Sequence, residues 1–243
     1  MQLSNRLLAA AGMVTKGNVV ADIGCDHAYT SIYLCQAGIA PRVIAMDVNK
    51  GPLRGAMAHV EEAKLAEQID IRLSNGLEKL LPGEADTVLL CGMGGLLMIK
   101  ILSDYPETTA SVKELILQPQ SEVGEVRHFL HKQGYRITKE HMLKEDGKFY
   151  VMMRAEQCAE PQKYEKECDY LYGKLLLDEK NEILSEFLCR EHRLRSDVLA
   201  ALKGQKTENA EARRETLRGE FALIEEARSR MAENDGLRKV DVS

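Results

Sequence analysis

The sequence has no long apolar run, and this absence excludes a membrane-spanning helix. No stretch approaches the roughly 18 consecutive apolar residues that a transmembrane helix needs. Residues 1–6 also lack the apolar core of a secretory signal peptide. We therefore expect a cytoplasmic protein that has no membrane partner.

The sequence also has no Cys-x-x-C motif. Its six cysteines are scattered and none clusters with histidine, so neither a zinc site nor a disulfide framework is predicted. His128 and His131 lie three residues apart, but no further ligand accompanies them at a metal-binding spacing, so we interpret them as a surface pair. We expect reduced thiols and no bound metal.

A third absence is an excess of positive charge. The formal net charge is −5 at pH 7, so the chain as a whole does not attract nucleic acid. Any binding of nucleic acid must depend on a local basic patch.

The chain contains enough apolar residues to form two folded units. With 243 residues, of which 44% are hydrophobic, the chain can bury one large core and still form a second, smaller unit. The periodicity changes beyond Gln157. We predict a first domain over residues 1–157 and a second over residues 158–243.

A strand, a polar turn and a helix are predicted over residues 19–29, and this stretch organises the first domain. A β-branched apolar run ends at Asp22 and Gly24, and an apolar helix pattern begins after the turn. This order is typical of α/β domains that bind a nucleotide cofactor at the turn. Gly24 lets a ligand approach the backbone, and Asp22, Asp26 and His27 are expected to face it.

Further β–α units follow this turn. The second strand ends in Asp47, and an acid at that place accepts hydrogen bonds from ribose hydroxyls in nucleotide-binding folds. Two alternating segments joined by the turn signal at residues 145–148 predict an antiparallel hairpin at the end of the sheet. Methyltransferase sheets end in such a hairpin, whereas an ordinary dehydrogenase sheet has no need of one.

A helical pattern without strands fills the second domain. Apolar residues recur three and four positions apart between Tyr164 and Met231, with a break at Gly204. Two long antiparallel helices, forming a coiled-coil hairpin, satisfy this pattern.

Five short motifs stand out along the first domain. They are Leu-Ser-Asn-Arg-Leu at 3–7, Asp-Ile-Gly-Cys-Asp-His-Ala-Tyr at 22–29, Cys-Gly-Met-Gly-Gly at 91–95, Leu-Gln-Pro-Gln at 117–120 and Glu-Asp-Gly-Lys-Phe-Tyr at 145–150. In this order they resemble the motifs of the bacterial tRNA (adenine-22-N1)-methyltransferase family. The resemblance implies an α/β fold: a Rossmann-like class I methyltransferase sheet ending in an antiparallel hairpin, plus a C-terminal helical coiled-coil hairpin. It also implies S-adenosyl-L-methionine as cofactor, tRNA as partner and methylation of ring N1 of adenine 22.

The same resemblance implies which residues bind the cofactor. They are Asp22, Gly24, Asp26, His27, Asp47, Val48, Asn75, Gly76 and Gly92. The acids beside Gly24 would accept hydrogen bonds from the cofactor ammonium group, and Asp47 would hold the ribose. Asn75 would meet the exocyclic amine of the cofactor adenine.

The residues expected to take part in catalysis are Asp26, Gly92 and Met93. Neutral adenine already has a lone pair at N1, so the attack needs no general base and depends on in-line positioning and exclusion of water. Gly92 and Met93 would line the gap between methyl donor and target, and Asp26 would stabilise the cationic product. Because N1 lies on the Watson–Crick edge, the target base must be unpaired or extruded.

Two departures from common methyltransferase motifs leave the recognition of the target base open. Gly-Met-Gly-Gly at 92–95 has neither the acidic or amide side chain nor the aromatic residue that many base-directed methyltransferases carry there. The turn at 22–28 reads Asp-x-Gly-x-Asp-x-Ala where many carry three alternating glycines. Asp26 therefore either binds the cofactor ammonium group or faces the substrate.

Residues expected to contact tRNA fall into two groups. Arg6 and His27 would form a basic rim at the mouth of the site, where Tyr29 is either a lid over the cofactor or a packed residue at the start of a helix. The helical hairpin carries a set of arginines that would bind phosphates: Arg190, Arg193, Arg195, Arg213 and Arg214. A packing or dimerising role for the hairpin is an equal alternative, and we expect a monomer.

Two other classes of function agree with parts of the sequence. A nicotinamide-dependent oxidoreductase agrees with Gly24 and Asp47, but Cys-Asp-His-Ala at 25–28 lacks the glycines that bind a pyrophosphate. A methyltransferase-fold protein that acts on another RNA base, or a non-catalytic RNA-binding scaffold, is the remaining alternative.

Overall fold

The computed structural model describes residues 3–160 and 162–233. The chain divides into two compact units, with the boundary between residues 163 and 164. The sequence pattern places the boundary a little earlier, after Gln157.

A seven-stranded sheet forms the centre of the first unit, in the order β3-β2-β1-β4-β5-β7-β6. Its strands are β1 (Val20–Ile23), β2 (Val43–Asp47), β3 (Ile69–Leu73), β4 (Thr87–Met93), β5 (Glu114–Pro119), β6 (Tyr135–Glu145) and β7 (Lys148–Gln157). The first five strands are parallel, and β7 pairs antiparallel with both β5 and β6. The predicted Rossmann-like sheet with a closing antiparallel hairpin is confirmed.

The apolar character of the central strands explains their position. Every residue of β1, β2 and β5 is buried, as expected for parallel strands that helices cover on both faces. The helices of this unit are α1 (Asn5–Ala11), α2 (Tyr29–Gln36), α3 (Lys50–Glu62), α4 (Gly95–Asp104), α5 (Pro106–Ser111) and α6 (Val123–Lys132). The sequence pattern does not predict α5, because six residues are too few to show a helical period.

The strand order reverses between β1 and β4. From β1 the chain adds β2 and β3 on one side, and from β4 it adds β5 on the other side. In open α/β sheets, ligands bind outside the carboxyl ends of the strands at such a point. The turn after β1 and the end of β4 therefore border the expected binding crevice.

A fully buried ion pair joins α6 to β6. Arg127 Nε donates to Glu140 Oε1 at 2.7 Å, and both side chains are 0% exposed. His131, on the same helix, is also buried, and burial lowers its pKa. The prediction that His128 and His131 form a surface pair is therefore wrong for His131, because that side of α6 packs into the core.

The second unit is helical. It consists of α7 (Glu167–Tyr172), α8 (Lys174–Asp178), α9 (Glu182–Ala201) and α10 (Glu208–Glu233). A contact of His192 Nε2 with the Glu225 carboxylate and an ion pair of Arg195 with Glu220 connect α9 and α10 in antiparallel order. The buried seam of this pair contains Leu184, Leu188, Leu217 and Ile224. The predicted helical hairpin is present, and the short helices α7 and α8 precede it.

Candidate active site

The turn after β1 has the backbone of a glycine-rich loop although it contains one glycine. Gly24, Asp26 and Ala28 have positive φ values of 74°, 50° and 60°. These are the three positions at which many methyltransferases carry alternating glycines. Each left-handed residue that is not glycine costs about 1–2 kcal/mol. Such strain persists where the surrounding structure fixes it, which is often at a functional site.

Asp22, at the carboxyl end of β1, is a buried acid. It is 4% exposed, and Ser31 Oγ on α2 donates a hydrogen bond to its Oδ2 at 2.6 Å. Burial raises the pKa of Asp22 to about 6, the Ser31 hydrogen bond opposes this rise, and the nearby Asp47 adds to it. The end of β1 therefore holds a carboxylate whose charge is costly until a cation approaches.

Asp47, at the end of β2, is fixed by the backbone on both sides. The Asp26 N–H donates to its Oδ2 at 3.2 Å, and the Asn49 N–H donates to its Oδ1 at 2.8 Å. Each carboxylate oxygen keeps a second lone pair that can accept a hydroxyl proton. Val48 beside it is exposed. This arrangement agrees with the ribose contact expected from the sequence.

Asn75 and Gly76 follow β3, which pairs with the strand β2 that ends in Asp47. The Ser74 N–H donates to the Asp47 carbonyl at 2.9 Å, which fastens the end of β3 to the end of β2. Asn75 is exposed, and Gly76 has a φ of 59° that favours glycine. The structure therefore brings both residues to the same edge of the sheet as Asp47.

Gly92 and Met93 form an irregular end of β4. The pairing with β5 shifts between Cys91 and Met93, and Gly92 has a φ of 75°. A Cβ atom added to Gly24 would collide with Met93 Cε, so the Met93 side chain covers the glycine of the β1 turn. The structure therefore brings together the two segments that the sequence predicts around the methyl-transfer gap.

Arg6 approaches this gap from α1. Gln118 Oε1 accepts hydrogen bonds from Arg6 Nη1 and from the Gly92 N–H, both at 3.1 Å. The Arg6 guanidinium also lies over the Tyr150 ring, 5.7 Å from its centroid. Sequence reasoning placed Arg6 at the mouth of the site but missed Gln118. The available signal is a glutamine that directly follows the apolar run at residues 115–117, since Gln118 is fully buried in β5.

His27, Tyr29 and His59 form a cluster of rings beside the turn. Ring centroids are 5.7 Å apart for His27 and Tyr29, and 4.8 Å apart for Tyr29 and His59. His59 Nδ1 lies 3.2 Å from the His27 carbonyl oxygen, and its Nε2 lies 3.4 Å from the Tyr29 hydroxyl. Tyr29 begins α2 and packs on α3. Sequence reasoning gave His59 no role, because the contact joins elements about thirty residues apart.

Asp26 reaches the mouth of the site and not its interior. Its side chain is 70% exposed, and its carboxylate lies 3.6 Å from His27 Nε2. A role in stabilising the cationic product remains a prediction.

The arginines of the helical unit differ in the hydrogen bonds that they make within that unit. Arg195 donates to Glu191 and Glu220, Arg213 to Glu220, and Arg214 to the carbonyls of Leu202 and Gln205. Arg190 and Arg193 are exposed on α9, and Arg190 also interacts with another group of the protein. The charges of Arg195, Arg213 and Arg214 are thus partly used within the unit, which the sequence pattern does not reveal.

Comparison with known proteins identifies the family. The model of the tRNA (adenine(22)-N(1))-methyltransferase family, TrmK, matches residues 20–226. The chain belongs to this family. The resemblance that the five sequence motifs indicate is therefore confirmed.

Several members are similar over most of their length. A tRNA (adenine(22)-N(1))-methyltransferase from Bacillus subtilis (strain 168) is 36% identical over 186 residues, which are 75% of this chain and 78% of the relative. The crystal structure of the B. subtilis TrmK enzyme has a TM-score of 0.84 at 32% identity, with 93% of this chain and 98% of that chain covered. A putative tRNA (m1A22) methyltransferase from Streptococcus pneumoniae, in complex with S-adenosyl-L-methionine, has a TM-score of 0.83 at 30% identity and covers 93% and 99%.

The described residues contain neither a membrane-spanning helix nor a cluster of metal ligands. In residues 3–160 and 162–233, no helix is long and apolar enough to cross a membrane. Within the same ranges, no three histidine, cysteine or acidic side chains gather as metal ligands would.

Proposed function

We infer that this chain is an S-adenosyl-L-methionine-dependent methyltransferase that methylates ring N1 of adenine 22 in tRNA. Membership of the family over residues 20–226 supports the activity, and the cofactor-bound S. pneumoniae relative supports the cofactor. The structural observation that carries the proposal is the contact of Met93 with Gly24. It joins the cofactor turn to the gap in which the target base must lie.

The residues at the crevice fit this cofactor. The buried acid Asp22 suits a cationic ammonium group, because a cation offsets the cost of its charge. Gly24 has no Cβ atom, so the flexible Met93 side chain is what lies over its backbone, and the fixed carboxylate of Asp47 suits a ribose diol. Val48, Asn75 and the Gly92 backbone would complete the binding site. The bound cofactor supplies an activated methyl group on a sulfonium centre.

The protein accelerates the reaction by position and by charge. The Met93 side chain and the Gly92 backbone exclude water from the gap, so the adenine N1 lone pair meets the methyl carbon in line. Asp26 stabilises the positive charge that develops on the purine. His27 and Tyr29 line the approach beside it, where the ring cluster fixes their orientation.

The tRNA is held at two surfaces. Arg6 and His27 contact it near the crevice, and exposed arginines of the helical unit bind its phosphates, which gives an affinity that depends on salt but not on sequence. Arg190 and Arg193 are the first candidates on that unit because both are exposed. We expect the chain to act as a monomer in the cytoplasm.

Transfer of a labelled methyl group tests this function. The protein is incubated with methyl-labelled S-adenosyl-L-methionine and bulk tRNA, and the labelled nucleotide is mapped. We expect label at adenine 22 in the D-arm region, and a tRNA with guanine at that position remains unlabelled. Label at another base, or on no tRNA, contradicts the proposal.

A further inference from the structure

A side-chain amide lies beside Gly92, where the motif Gly-Met-Gly-Gly provides no side chain for the target base. Gln120 follows β5, and its N–H donates to the Met93 carbonyl at 2.9 Å, which fastens it to the end of β4. Its Nε2 lies 3.7 Å from the point at which a Cβ atom of Gly92 would stand. Gln120 is exposed. The amide is therefore accessible at the edge of the methyl-transfer gap.

The other side chains at Gly92 are either buried or already engaged. Gln118 is fully buried, its Oε1 accepts from both Arg6 and the Gly92 N–H, and its Nε2 has no hydrogen-bond partner among the described residues. Arg6 is held by that bond and by the Tyr150 ring. Within residues 3–160 and 162–233, the Gln120 side chain makes no hydrogen bond or ion pair. Its carbonyl and its NH₂ group are both available to a ligand.

We propose that Gln120 recognises the target adenine through its N6 and N7 atoms. This proposal rests on the function inferred above. A glutamine amide accepts from the N6 amino group and donates to N7, a pairing whose geometry is specific for adenine. That edge of the ring leaves N1 free to face the methyl group. Guanine presents two acceptors, O6 and N7, on the same edge, so the amide oxygen would face a second acceptor.

The test combines one protein substitution with one atomic change in the substrate. Gln120→Ala and the wild type are each assayed on a tRNA with adenine at position 22 and on the same tRNA with 7-deazaadenine there. The 7-deaza base carries a carbon in place of N7 and keeps N6 and N1. Gln68→Ala is the matched control, since Gln68 is also exposed but precedes β3 at the amino end of the sheet.

We expect kcat/KM on adenine tRNA to fall roughly 10- to 100-fold in Gln120→Ala, the range for loss of a bidentate base contact. The 7-deaza base lowers kcat/KM of the wild type and of Gln68→Ala, but it has no further effect on Gln120→Ala. Dissociation constants of the two tRNAs are measured by fluorescence anisotropy without methyl donor. The 7-deaza base should weaken tRNA binding by the wild type but not by Gln120→Ala. The affinity for S-adenosyl-L-methionine should be unchanged.

Two results would overturn the proposal while leaving the inferred function intact. One is a Gln120→Ala variant as active as the wild type. The other is a variant that remains as sensitive to the N7 replacement as the wild type. If the wild type does not methylate adenine 22 in the unmodified tRNA, the inferred function itself is wrong.

Discussion

Replacing Asp22 by asparagine should stabilise the cofactor-free protein. The carboxyl group is buried with one hydrogen bond, from Ser31, and burial raises its pKa from 3.8 to about 6. Since one pKa unit equals about 1.4 kcal/mol, the ionised form costs about 3 kcal/mol in the folded state. Asparagine has nearly the same shape, can accept the Ser31 hydrogen bond and carries no charge.

The effect must depend on pH in a definite direction. The pKa is higher in the folded chain than in the unfolded chain, so the protonated group contributes stability below pH 3.8 that is lost as the pH rises through about 6. We expect Asp22→Asn to exceed the wild type in unfolding free energy by about 3 kcal/mol near pH 8, and by about half of this near pH 5. Denaturant unfolding followed by circular dichroism measures the difference.

The same substitution should weaken cofactor binding. If Asp22 accepts from the cofactor ammonium group, loss of the charge lowers the affinity for S-adenosyl-L-methionine by about 10- to 100-fold, which calorimetry can measure. Asp104→Asn is a suitable control, because Asp104 is an exposed surface acid paired with Lys100. A variant that is no more stable than the wild type near pH 8, or a stability difference that is flat with pH, would refute the reasoning.

Three further substitutions test other parts of the structure. Arg127→Met leaves Glu140 buried without its guanidinium partner, so the unfolding free energy should fall by about 3–5 kcal/mol, and a fall below about 1 kcal/mol in urea titrations would contradict this. Gly92→Ala forces a side chain into a φ of 75°, at a cost of about 1–2 kcal/mol, and should lower kcat while tRNA affinity in filter binding stays unchanged. Arg193→Ala should weaken tRNA binding and reduce the slope of log K against log salt concentration by about one unit. An unchanged slope would exclude a phosphate contact.

The sequence by itself determined the fold class and the two acids of the crevice. Buried parallel strands show as nearly continuous apolar runs, and a polar residue that ends such a run lies at the carboxyl edge of the sheet. Asp22 and Asp47 follow from this rule, and the turn at residues 145–148 predicts the closing hairpin from local conformation alone. These features depend on residues that are close together along the chain, so a sequence pattern is enough to predict them.

The tertiary structure alone decided which distant side chains meet. The bond between Arg6 and Gln118 joins residues 112 positions apart, and the ring contact of Tyr29 with His59 joins α2 to α3. It also decided that Arg195 is paired within the helical unit and that His131 is buried. A hydrophobic pattern gives the buried face of one element. The partners across that face depend on strand order and helix packing, which no single segment of the sequence contains.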